Sequence, residues 1–176
     1  MATQEQKMGT QSKAEVFKEL ATPGAPHRLL ALLAGSWNTR HTYWMEPDQP
    51  CTESSGFCEQ KMILDGRFLQ QEFSGEMMGS PFTGFGLLGY DNNTKKYVST
   101  WLDNMGTGIY FFEGSAGADG RSIVQTCKYD NSVDDTTEWR SVTRLVDDNT
   151  YAVEMFGIDK SGKERKIMEG TYTRKQ

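Results

Sequence analysis

Past Gly35 the chain is punctuated by turn-forming residues at a nearly even interval, and that punctuation limits the folds open to it. The signals are Asp65-Gly66, Met78-Gly79-Ser80-Pro81, Asp91-Asn92-Asn93, Asn104-Met105-Gly106, Ala118-Asp119-Gly120, Asp130-Asn131-Ser132, Asp147-Asp148-Asn149 and Asp159 through Gly162. They recur about every 12–16 residues, wider than the roughly 8–12 of a β-sandwich. Asp, Asn and Gly tolerate the left-handed backbone that tight hairpins need. Between the signals lie strand-like segments such as 96–103 (KYVSTWLD) and 139–146 (WRSVTRLV), without a helical period. This reading predicts ten strands, at roughly 36–45, 55–64, 67–75, 82–90, 95–103, 107–115, 121–130, 137–146, 150–158 and 164–174. Strands joined in succession by tight turns form a meander. A long meander leaves two open edges unless its first and last strands meet. The expected fold is therefore all-β, a closed antiparallel meander barrel of about 8–10 strands, a size that can hold a small ligand. A solenoid would share the regular spacing, but the segments share no repeated motif.

Ahead of the barrel, the segment AEVFKEL predicts a short helix ending at the breakers Pro23, Gly24 and Pro26. A second helix is expected over 25–33, with Pro26 in its first turn and Gly35 at its stop. Residues 1–12 read as a flexible tail and 13–176 as a single domain. The chain has 176 residues, enough to bury a core without staples.

Charge narrows the partners. The net charge of -5, with no Lys/Arg-rich stripe, argues against nucleic acid. The cluster Lys160, Lys163, Arg165 and Lys166 is interrupted by Glu164 and reads as a solvated turn. The apolar run 29–34 is too short to span a bilayer. Three cysteines, Cys51, Cys58 and Cys127, follow no leader-like N-terminus; reduced thiols in a cytoplasmic protein are expected.

Gly35-Ser36-Trp37 opens the first strand and resembles the Gly-x-Trp signature that begins lipocalins and related calycin barrels. In those barrels the Trp closes one end beneath a basic side chain from the last strand. Here the matching residues are Trp37 and Arg174, a pair expected to close the barrel by stacking a guanidinium on an indole. A longer resemblance runs through 26–37 (PHRLLALLAGSW), 63–73 (ILDGRFLQQEF), 81–108 (PFTGFGLLGYDNNTKKYVSTWLDNMGTG), Glu154-Met155 and 169–174 (EGTYTR). On these residues the chain resembles, over about 15–174, the bacterial family catalogued as domain of unknown function 1579. The resemblance implies a calycin-like barrel and no particular activity. Haem-binding barrels that resemble calycins use an axial His late in the chain, whereas His27 and His41 are the two histidines here. No cofactor and no metal is expected.

Gly84, Gly86 and Gly89 lead into another strand rather than a helix, so a barrel corner or close approach fits them better than a phosphate cradle. Trp101 and Asp103 share a strand face with Tyr97 and Ser99. If that face points inward, Asp103 sits in an aromatic cavity and needs a partner. Arg140 and Arg144 alternate on one strand, and Glu154 and Glu169 lie on later ones. The cavity candidates are Tyr97, Trp101, Asp103, Arg144, Glu154, Met155 and Tyr172, although alternation requires that some of the charges face solvent. Met77, Met78, Met105, Met155 and Met168 suit either an adaptable pocket or an ordinary core. No catalytic set stands out, since no nucleophile is paired by sequence with an oriented base. Three functions remain open: binding of an apolar or amphipathic small molecule, catalysis on a small organic substrate, or an interaction module, including a homodimer.

Overall fold

The computed structural model describes residues 12–46, 49–128 and 134–176. The tail expected over 1–12 lies outside them except for Ser12, and so does the turn Asp130-Asn131-Ser132. Ser12 caps the first helix, α1 (Lys13–Ala21): its hydroxyl accepts from Glu15 N–H, and Glu15 returns a bond to Ser12 N–H. This reciprocal pair satisfies two amides that a helix start otherwise leaves open. The second helix, α2 (Ala25–Leu33), begins at Gly24, whose N–H donates to His27 Nδ1 at 3.0 Å. His27 is thus a buried cap, and its ring meets Tyr90 edge-on.

Ten strands follow: β1 (Gly35–Tyr43), β2 (Thr52–Ile63), β3 (Phe68–Met77), β4 (Ser80–Asp91), β5 (Lys96–Asp103), β6 (Tyr110–Ala116), β7 (Ser122–Lys128), β8 (Thr136–Asp147), β9 (Thr150–Asp159) and β10 (Glu164–Arg174). Each pairs antiparallel with the next, and β1 pairs with β10, so the barrel is closed. All ten expected strands are present, with bounds that differ from the expected ones by up to three residues, as at the starts of β2 and β6. β3 and β4 run to a two-residue turn, Met78-Gly79, with positive φ at both positions (54° and 76°). That is the hairpin turn whose twist matches the strands, so pairing continues to its edge. β6 starts only at Tyr110, after the connection 104–109 that carries Gly106 and Gly108.

One end of the barrel is sealed. Leu30 and Leu33 point from α2 into the strands and pack against Trp37, which is fully buried. Trp37 Nε1 donates to Leu33 O at 2.9 Å. The Arg174 guanidinium lies 4.2 Å from the Trp37 ring. It also donates to Ala34 O (2.9 Å), Leu32 O (3.1 Å) and Asp148 O (3.1 Å). One cation therefore satisfies carbonyls at the end of α2, where the helix dipole favours positive charge. Gly35 makes the approach possible: its φ is +138°, and a Cβ there would collide with the guanidinium. Arg174 and Trp37 are also register partners, so closure of the sheet and of its end occur at one point.

Candidate functional site

Alternation along each strand decides what faces the barrel axis. On β1 the inward residues are Trp37, Thr39, His41 and Tyr43; on β5 they are Tyr97, Ser99, Trp101 and Asp103. Near the sealed end Trp37 and Tyr97 are packed solid, and the chamber begins just beyond them, at Leu33, Leu88 and Tyr151. Towards the other end the inward side chains part around a cavity of about 550 Å³. Phe73, Phe82, Trp101, Phe112 and Trp139 supply its aromatic wall, and Met77, Met155 and Met168 its flexible apolar wall. Met45, Met78 and Met105 stand at the opening. Trp101 can lie flat against β4 because Gly84 beneath it has no side chain.

The inner part of the cavity is polar but uncharged. Gln71 Nε2 donates to Gln60 Oε1 at 3.1 Å, and Gln60 Nε2 donates to the Tyr151 hydroxyl. Tyr151 stacks on Tyr172, with ring centroids 4.2 Å apart, and the Tyr172 hydroxyl lies 3.1 Å from His41 Nε2. Burial pushes the phenols of Tyr151 and Tyr172 well above their ordinary range. Burial also lowers His41 to about 4, so its ring is neutral at neutral pH. On another wall Ser99 Oγ lies 3.2 Å from Gln125 Oε1.

Charge is confined to the mouth. Among the described residues lining the cavity, the charged ones are Asp103, Asp134 and Arg165. Asp134 and Arg165 are 3.5 Å apart. Asp103 accepts from Trp101 Nε1 (2.9 Å) and from Met105 N–H (3.0 Å). Its partner is thus an indole and a backbone amide, and the effect is to hold the Trp101 ring.

The expected cavity residues divide. Trp101, Asp103, Met155 and Tyr172 line the cavity together. Tyr97 points inward but lies in the sealed half, buried against Tyr90 with ring centroids 5.0 Å apart. Arg144 and Glu154 are on the outside and have to be set aside as cavity residues. Arg144 reaches Ser122 Oγ and Asp119 across the outer face of β7, and Glu154 pairs with Lys166 on β10. Arg140 is likewise external, bonded to Glu164 with its guanidinium 4.1 Å from the Phe156 ring. The reason is parity: β8 directs Trp139, Ser141 and Thr143 inward, which turns its arginines out.

The lining glutamines, His41 and the Phe73–Phe82 pair carried no distinguishing mark in sequence. Their even offsets from Trp37, Leu69, Leu88 and Ile123 on the same strands would have placed them, had the inward face been known. Cys58 and Cys127 are buried free thiols and Cys51 is an exposed one. Burial raises the Cys58 thiol to about 12, which leaves it protonated and unreactive. Among the described residues no group of His, Cys, Asp or Glu is arranged to hold a metal. No described helix is long and apolar enough to cross a membrane.

Fold and cavity together define a calycin-like barrel, ten strands closed at one end over an internal chamber. By sequence the chain belongs to the family described as Protein of unknown function (DUF1579), which matches residues 22–174. No curated protein matches it. Solved structures share the fold, among them the following two. Rv2717c from M. tuberculosis has 14% identity and a TM-score of 0.66, covering 88% of this chain and 100% of its own. The S-type phycobiliprotein lyase CPES from Guillardia theta has 11% identity and a TM-score of 0.61, covering 87% and 94%. At these identities the likeness is one of fold.

Proposed function

We propose that this protein binds an apolar or amphipathic small molecule inside its barrel. The observation that carries the reading is the chamber of about 550 Å³, walled by aromatic and Met side chains and open at one end only. That volume falls within the range of small-molecule pockets, which are mostly apolar with a few placed polar groups. Met side chains at the mouth suit an entrance that must reshape around its guest. A catalytic reading has weaker support, because three of the charged residues that would serve it, Arg140, Arg144 and Glu154, are bonded on the outer face. The test is titration with Nile red, a neutral apolar dye that brightens when it leaves water. Saturable binding to the wild type, lost in Ser141→Trp, where the new ring fills the chamber, is the expected result. Equal binding by both proteins would place the dye elsewhere and count against the reading.

A second reading rests on a different surface. Phe111 on β6 is 67% exposed, and its register partner Thr100 lies between Val98 and Leu102 on the outside of β5. Exposed apolar side chains grouped on one sheet face favour association. Sedimentation of the wild type beside Phe111→Glu tests it: a homodimer reduced to monomer is expected, and a wild type that is monomeric throughout contradicts it.

A further inference from the structure

Gln125 is 7% exposed and lines the chamber from β7. Ser99 Oγ meets the oxygen of its amide, and the nitrogen Nε2 has no hydrogen-bond partner among the described residues. Turning the amide over would only exchange which end is left, because Ser99 reaches one end alone. A buried amide end without a partner is costly, and native proteins leave few of them. Gln125 is also in register with Ser141, whose side chain lines the same chamber. Ser99, Gln125 and Ser141 therefore form an uncharged polar strip in an otherwise apolar wall. A second unpartnered atom lining the chamber, Nδ1, belongs to His41, which is 3% exposed.

Resting on the binding function proposed above, we propose that the ligand carries an uncharged polar head, a carbonyl, amide or ester, that accepts a hydrogen bond from Gln125 Nε2, while its apolar body lies against Phe73, Trp101 and Met155. A carboxylate head placed there would meet no cation. Arg165, the one Arg or Lys among the described lining residues, is at the mouth and already faces Asp134. Burial keeps His41 neutral, so it does not supply a positive charge either. An ammonium head would be equally unmatched, since the lining carboxylates Asp103 and Asp134 are also at the mouth. Either ion would shed its water without compensation. An uncharged acceptor loses less water and satisfies the Gln125 amide donor, which has no partner among the described residues.

Calorimetric titration with three probes of one shape, naphthalene, 2-naphthamide and 2-naphthoate, separates this inference from the reading beneath it. Wild type is expected to bind the amide about tenfold more tightly than either other probe, the gain from one buried hydrogen bond. Gln125→Leu should remove that advantage and leave naphthalene unchanged. Its melting temperature should change little, because the substitution deletes the unsatisfied amide nitrogen together with the single bond from Ser99 Oγ; if the variant nonetheless fails to fold, the wild-type ranking alone decides. Naphthoate binding as tightly as the amide, or naphthalene as tightly as the amide, overturns the head-group inference and leaves the cavity reading standing. Failure of all three probes to bind overturns both.

Discussion

At the helix end of the barrel Trp37 has no contact with solvent, and its neighbours Leu30, Leu33 and Leu69 are buried with it. At the other end Met45, Met78 and Met105 are each more than half exposed around an opening. The same ten strands run through both regions, so the difference lies in the side chains they deliver. At the sealed end the Trp37 indole bonds to Leu33 and the Arg174 guanidinium to three carbonyls, while Thr39 Oγ1, one inward step along β1, has no partner among the described residues. The chamber retains unpartnered buried atoms on His41 and Gln125. Stability is concentrated where packing is complete, and adaptability where the wall has no partner atoms on its inner side.

The comparison breaks most decisively at the two indoles. Trp37→Ala should cost about 3–5 kcal/mol in urea unfolding, as expected for a large buried aromatic. Trp101→Ala, whose ring faces the chamber, should cost about 1–2 kcal/mol, since part of that ring has no packing to lose. Equal costs would mean the chamber end is packed as tightly as the sealed end.

His41 marks the boundary between the regions, and acid should reveal it. Its folded-state pKa lies near 4 against an ordinary 6.5, because burial disfavours the charged ring. The unfolded chain therefore binds a proton first. Stability is full above pH 6.5, falls as pH drops below it, and levels once the folded ring also protonates near 4. The loss attributable to His41 is about 3 kcal/mol, at about 1.4 kcal/mol per pH unit. His41→Gln should flatten that part of the profile; an unchanged slope would show that the ring is solvated in the folded state.

Arg174→Met should cost about 2 kcal/mol, removing the cation over Trp37 together with its bonds to the end of α2. Dye binding in the chamber should be retained, since the change is confined to the sealed end. The smallest effects belong to the outer face. Arg144→Ala breaks an exposed ion pair and Glu154→Ala a half-buried one on the outer face; they should change stability by less than about 0.5 and about 1 kcal/mol, without altering ligand affinity. A clear loss of affinity in either would return that residue to the site.

Fold was more legible in this chain than site, for a physical reason. Turns declare themselves locally: Met78-Gly79 and Asp65-Gly66 adopt positive φ, and few residue types accept it. The closing pair could be named because Trp37 and Arg174 sit at the two ends of the strand series, and a closed meander must join its ends. Orientation is a different matter, because a period of two shows that faces alternate without saying which is inside. β7 carries Ser122 and Ile123 as neighbours on opposite faces, both buried, so hydrophobicity alone does not resolve it. Arg144 and Glu154 were misplaced for that reason. Gln125 stayed invisible because a glutamine in a strand reads as surface until its strand partners are known.

The most direct test of the account follows the methionine methyl and Trp indole signals of the protein by NMR during titration with 2-naphthamide. The account predicts that Met77, Met155, Met168 and Trp101 shift together and saturate, while the Trp37 indole stays in place. Shifts that reach Trp37, or that fall on the outer face and spare the chamber methionines, would contradict a site built into one end of the barrel.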